Sequence, residues 1–183
     1  MIRTAVVLPM IGLGLLACGP ESPEPAPPLE AVAQQTISNY RTTQSTGGVL
    51  DWELWGASAE KFPGDQSMHL TQVRMVFYRD GVQDAELTAL NGVVDERTKD
   101  TVARGNVILR NTAGKTLRSE ILYWDNTDGI IHTDQYVKIE DGDQIMTGVG
   151  LRTDPNLTDA VLESEVEGVF YDETPSKSSK EQP

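Results

Sequence analysis

Residues 137–151 read VKIEDGDQIMTGVGL, and this stretch decides the fold. Val137 and Ile139 alternate with Lys138 and Glu140, Asp141-Gly142 interrupts, and Ile145, Val149 and Leu151 resume on one face. A two-residue period places every second side chain on one side of an extended strand, and an Asp-Gly pair between two such runs is a hairpin signal. The pattern spreads outward in both directions. Upstream it recurs at Val73/Met75/Phe77, Leu87/Ala89 and Val107/Leu109, and downstream at Ala160/Leu162/Val166/Phe170. Turn signals fall between the runs at Asp80-Gly81, Thr98-Lys99-Asp100, Ala113-Gly114, Asp128-Gly129 and Asp154-Pro155-Asn156, at intervals of 13 to 18 residues. No long window carries apolar residues at helical spacing. An all-β fold of antiparallel strands, each about ten residues long, is expected as a sandwich or jelly-roll.

Two details refine this expectation. Ile121, Leu122, Tyr123 and Trp124 interrupt the alternation, which marks a bulge. In the last run Ala160, Leu162, Val166 and Phe170 share one face and Val161, Glu163, Glu165, Glu167 and Val169 the other, so one side is expected to meet the core and the other water. A row of glutamates also suits a sheet edge, where charge discourages indiscriminate pairing.

The chain has 183 residues, 28 acidic against 15 basic side chains, a formal charge of -13 and one cysteine. This size suits about one domain. The basic residues are scattered among carboxylates, which argues against nucleic acid as a partner because phosphate recognition needs a clustered Lys/Arg footprint. A lone cysteine excludes an internal disulfide.

The N-terminal part reads as targeting sequence. Met1-Ile2-Arg3 is followed by a charge-free, mostly apolar run of 14 residues ending at Ala17. That is shorter than the roughly 20 residues a bilayer span requires and has the form of an export signal over residues 1–17. Leu15-Leu16-Ala17-Cys18 resembles the lipobox of bacterial lipoproteins, which implies a diacylated Cys18 at the mature N-terminus and a membrane anchor. Residues 18–30 then join anchor to domain through a stretch holding five of the ten prolines. At about 3.1 Å per residue its 12 residues after Cys18 would reach roughly 35–40 Å. Residues 31–171 are the expected folded domain, and residues 172–183 (DETPSKSSKEQP) lack the apolar side chains to join it.

Catalytic patterns fail one by one. Gly114-Lys115-Thr116 lacks the upstream glycine of a phosphate loop, with Leu109 in its place, and Gly148-Val149-Gly150 meets Thr153 where a dinucleotide fingerprint wants glycine. Residues 125–129 (DNTDG) place Gly129 where a calcium loop needs an oxygen ligand. His69 and His132 have no neighbouring partner for a zinc set. No catalytic residue, metal or cofactor is expected, and a β-sandwich hydrolase would need a carboxylate pair that nothing here nominates.

Three phrases follow one another in the body: residues 103–109 (ARGNVIL), 114–125 (GKTLRSEILYWD) and 131–139 (IHTDQYVKI). Their order and spacing resemble the OstA-like domain of lipopolysaccharide-transport proteins. Residues 52–57 (WELWGA) and 73–78 followed by Gly81 are similar to the opening strands of the LptC family.

The resemblance implies an elongated, twisted β-jellyroll whose apolar groove shields the acyl chains of lipopolysaccharide. It further implies receipt of lipid from the periplasmic jellyrolls of LptF/LptG-like permeases, powered by an LptB-like ATPase, and transfer to a soluble LptA-like bridge protein by pairing of edge strands. The expected groove lining is Leu54, Val73, Met75, Leu87, Val107, Leu109, Leu117, Val137, Ile139, Val149, Leu151 and Leu162. Val161, Glu163, Glu165, Val166, Glu167 and Val169 form the expected partner edge. LptC proteins with a transmembrane helix differ from this chain, where the lipobox would take that role. The expected location is the periplasmic face of the inner membrane, the alternative being an outer-membrane jellyroll lipoprotein acting as structure or adaptor.

Overall fold

The computed structural model describes residues 32–169. They form nine strands, β1 (Gln35–Thr46), β2 (Val49–Lys61), β3 (Ser67–Arg79), β4 (Val82–Asp95), β5 (Thr101–Asn111), β6 (Thr116–Asp125), β7 (Ile130–Asp141), β8 (Gln144–Thr153) and β9 (Val161–Val169). Each strand pairs antiparallel with the next in the chain, giving one sheet in the order β1 to β9. The all-β antiparallel expectation is therefore met. The signal, Cys18, the proline-rich tether and the C-terminal tail lie outside the described residues.

Side-chain alternation dictates which face is covered. In β5, Thr101, Ala103, Val107, Leu109 and Asn111 are buried while Arg104, Asn106 and Arg110 are exposed. The turns follow from local chemistry. Asp80 and Gly81 both have positive φ, 53° and 77°, as a two-residue turn matched to strand twist requires. The β4–β5 turn is held by Asp95, whose Oδ1 accepts the amides of Arg97 and Thr98 at 2.8 Å. Asp125 repeats this between β6 and β7, accepting from Thr127 and Asp128 at 2.9 Å.

The sheet does not stay flat. Register shifts occur mid-strand in five successive pairings, at Thr88/Asn91, Arg104/Val107, Ser119/Tyr123, Thr133/Tyr136 and Thr147/Val149. Bulges bend a strand and increase its twist, so this line of irregularities coils the sheet. The result is visible in contacts. Phe77 on β3 and Trp124 on β6 are three strands apart, about 14 Å in a flat sheet at the usual spacing, yet their rings are edge to face with centroids 4.8 Å apart. Asn126, after β6, accepts from Trp52 Nε1 at 2.8 Å and donates to Gln44 Oε1 at 3.0 Å, tying the β6–β7 turn to β2 and β1. Leu157 is buried, and Asn111 Nδ2 donates to Asn156 O at 2.9 Å, which fastens the β8–β9 loop over the end of β5.

The last strand departs from its expected pattern. Every residue of β9 is exposed except the half-buried Leu162, rather than one face being covered. The alternation breaks at Glu165, whose φ is 51°, within the shifted pairing to β8. Leu162 consequently packs inward and Val166 does not. Phe170 lies outside the described residues.

Candidate functional site: an apolar interior between two free edges

The register builds the interior row by row. Leu54, Met75, Leu87, Leu109, Leu117, Ile139 and Met146 stand directly opposite one another on seven consecutive strands. The row ends at Thr42 on β1 and Gly168 on β9. A second row runs through Val107, Ser119, Val137 and Gly148. Facing positions on opposite strands are the nearest side-chain neighbours in a sheet, so alternation kept in register makes a continuous apolar wall.

Ten of the twelve residues expected to line a groove lie in one buried cluster: Leu54, Val73, Met75, Leu87, Val107, Leu109, Leu117, Val137, Ile139 and Leu151, none more than 3% exposed. Leu162 packs against that cluster, partly buried. Val149 is placed differently from the expectation. It is half-buried and opposite Tyr136, whose side chain is 59% exposed, which puts Val149 on the outer face. The cause is Gly150, φ 78°, which lies in the register shift between β7 and β8 and changes the parity of β8 between Gly148 and Leu151.

The expected edge residues Val161, Glu163, Glu165, Val166, Glu167 and Val169 are all exposed on β9, which among the described residues pairs only with β8. At the opposite margin β1 pairs, among the described residues, only with β2 and is exposed along most of its length. The two margins contribute little to the core, namely Ile37 and Tyr40 from β1 and Leu162 from β9.

Sequence reasoning missed Trp52, Met68, Leu70, Leu122, Trp124 and Ile131 as interior residues. For Leu122 and Trp124 a usable signal existed. The interruption at residues 121–124 is a register shift between Ser119 and Tyr123, and beyond it alternation returns, with Leu122 and Trp124 buried and Ile121 and Tyr123 half-buried.

The outer face is polar and internally paired. Arg41, Trp55, Arg74, Thr88, Ile108, Arg118 and Lys138 form one outer row. Arg41 and Arg74 lie over the Trp55 ring at 5.4 and 5.0 Å. The carboxylates one row over take up the cations. Glu53 pairs with Arg41, Glu86 with Arg74 at 2.7 Å, and Glu140 with Arg118 and Lys138. Those last two donors hold the Glu140 carboxyl below its usual range, Lys138 first. Removal from water, then the hydrogen bond to Glu53, raises the Tyr78 hydroxyl above its ordinary value.

Neither histidine joins a cluster. His69 meets Asp65 at 2.7 Å, and His132 stacks on Tyr123 at 5.2 Å. Among the described residues no three groups of metal-ligating type converge. The arrangement offers apolar area, two open backbone edges and a charged exterior.

Comparison with known proteins sharpens this picture. A family model described as LptC, "Lipopolysaccharide-assembly, LptC-related", matches residues 4–172. Among solved structures, LptH from Pseudomonas aeruginosa is described as the LptA homologous periplasmic component of the conserved lipopolysaccharide transport device. It aligns with a TM-score of 0.51 at 10% identity, over 66% of this chain and 95% of that one. At that identity the likeness shows the fold, a β-jellyroll. No curated protein is matched.

Proposed function

Because the chain belongs to the LptC-related family of lipopolysaccharide-assembly proteins, a family of non-enzymatic envelope transport components, we propose that it is a lipid-anchored periplasmic carrier in lipopolysaccharide export. Cys18 carries the anchor and residues 19–30 space the domain from the membrane. Acyl chains lie against the interior, enter from LptF/LptG-like permease jellyrolls driven by an LptB-like ATPase, and leave to an LptA-like bridge protein. The anchor sits in the inner membrane.

The observation that carries this reading is the apolar row across seven strands, bounded by two edge strands that have no further partner among the described residues. A hydrocarbon chain gains about 0.8 kcal/mol for each methylene withdrawn from water. A wall without fixed polar partners supplies that gain whatever the chain's exact position. Entry proceeds over the margins β1 and β9, because these strands give the core only three partly buried side chains. The same strands present free backbone donors and acceptors, on which a partner's edge strand extends the sheet. Val161, Glu163, Glu165, Val166, Glu167 and Val169 are the surface for that contact. No reacting group is required, since the work is done by ATP hydrolysis elsewhere.

Affinity purification of the membrane-extracted protein, with mass spectrometry of bound proteins and lipids, tests the reading. Recovery of transporter subunits together with lipopolysaccharide is expected. An intact preparation carrying neither would contradict it.

A further inference from the structure

The loop between β8 and β9 reaches across the molecule. The ladder carries Arg110 on β5 through Thr116 and Glu140 to Ile145 on β8. Thr153, where β8 ends, lies eight residues further along that strand, about 26 Å in flat geometry. Yet groups at and beside the end of β5 hold the loop that follows it. Asn111 Nδ2 donates to Asn156 O at 2.9 Å, Lys115 Nζ donates to Leu157 O at 3.4 Å, and Arg79 pairs with Asp154 at 3.3 Å. The loop is thus a strap from one layer of the coiled sheet to the layer facing it. Its Pro155 lines a cavity of about 460 Å³ at that end, together with Trp52, Phe77 and Trp124.

Leu157 is the unusual residue of the strap. Seven non-glycine residues among those described have positive φ, and Leu157, at 57°, is the one apolar and the one buried member of that set, only 1% exposed. The left-handed region is costly for a bulky side chain and persists where the surroundings impose it. Here the side chain lies in the buried cluster that contains the apolar row, while the ties to Arg79, Asn111 and Lys115 grip the loop from the facing layer. The turn itself is self-contained. Asp154 Oδ1 accepts the amides of Thr158 at 2.7 Å and Asp159 at 3.2 Å, and Asp154 O accepts that of Leu157 at 3.1 Å. The loop can therefore lift as a unit when those three ties part. We propose that it is a latch on the β9 margin. Closed, Leu157 occupies part of the apolar interior; an entering hydrocarbon chain takes its place, the strained backbone is released, and β9, whose one core contact is Leu162, moves with the loop. This rests on the reading that the interior takes acyl chains. It adds that the empty carrier is held shut by its own side chain until lipid displaces it.

The test uses the membrane-extracted full chain and lipopolysaccharide, with two variants. Asn111→Asp keeps the oxygen that accepts the Lys115 amide and removes the donor to Asn156 O. A protein whose binding-competent form is a minor one gains apparent affinity when the closed form is weakened. Asn111→Asp is therefore expected to bind lipopolysaccharide faster and about three- to tenfold more tightly, the worth of one neutral hydrogen bond. The added negative charge acts in the opposite direction on an anionic lipid, so it cannot produce this gain. Leu157→Cys reports the movement itself: its thiol is expected to be alkylated slowly in the empty protein and faster with lipopolysaccharide bound, with labelling of the unaltered chain subtracted for Cys18. Unchanged or weakened binding in Asn111→Asp, or a Leu157→Cys thiol as protected with lipid as without, would make the loop a fixed wall and overturn the inference while the carrier reading stands. Failure to retain lipopolysaccharide at all would overturn both.

Discussion

Leu109 shows what a single interior residue contributes. It is fully buried, opposite Leu87 on one side and Leu117 on the other. Leu109→Ala leaves a void between neighbours held by two strands and is expected to cost about 2–5 kcal/mol, readable by thermal or denaturant unfolding. Asp95 acts at the same scale through hydrogen bonds. The amides of Thr98 and then Arg97 stabilise its charged form and lower its pKa. A depressed folded-state value means the contribution is complete above the usual carboxylate range, near about 4, and is lost as pH falls below it through the folded value. Amide exchange at Arg97 and Thr98 is therefore expected to quicken selectively on acidification, and Asp95→Asn should remove that pH dependence. A turn equally protected at low pH would refute the assignment. At this scale the sequence was informative wherever the period of two ran unbroken. It misled at Val149, because the positive φ of Gly150 inserts a half-step that composition does not announce.

At the level of elements, β9 is the strand proposed to carry transfer, and it gives the core little. Leu162 is its one side chain packed against the core. A proline at Val166, inside the register shift, removes a backbone donor without excavating the interior. Val166→Pro is expected to lower the melting temperature by no more than a few degrees while abolishing co-purification with a bridge partner. Undiminished association would move the contact to β1. The strands and their turns were largely legible, since Asp-Gly pairs and alternating runs are local signals. The line of bulges was visible at one point, residues 121–124, while the others were hidden. A bulge flips the face of everything beyond it yet leaves each half-strand's alternation intact, so neither half looks irregular alone.

Across the whole molecule, the coil that brings Phe77 onto Trp124 arises from register, so the cavity at that end could not be read from spacing. Family likeness was legible because ordered phrases along β5, β6 and β7 survive where no single residue is diagnostic. The anchor is a claim at this scale too. Cys18→Ala is expected to release the protein from membranes into the soluble periplasmic fraction. Persistent membrane association would mean the N-terminal run itself holds the chain. Membrane fractionation of the unaltered protein bears on the anchor's location, with inner-membrane residence expected and exclusive outer-membrane residence contradicting a role at the transporter.

The central claim is that the inner face of this sheet holds lipid acyl chains. Photo-crosslinking in living cells tests it most directly, with a photoreactive residue placed at Leu54, Leu109 or Val137 inside and at Ile108 or Lys138 on the outer face. Lipopolysaccharide adducts at the inward positions and none at the outward ones are expected; no adduct at any inward position, or equal labelling of both faces, would contradict the account.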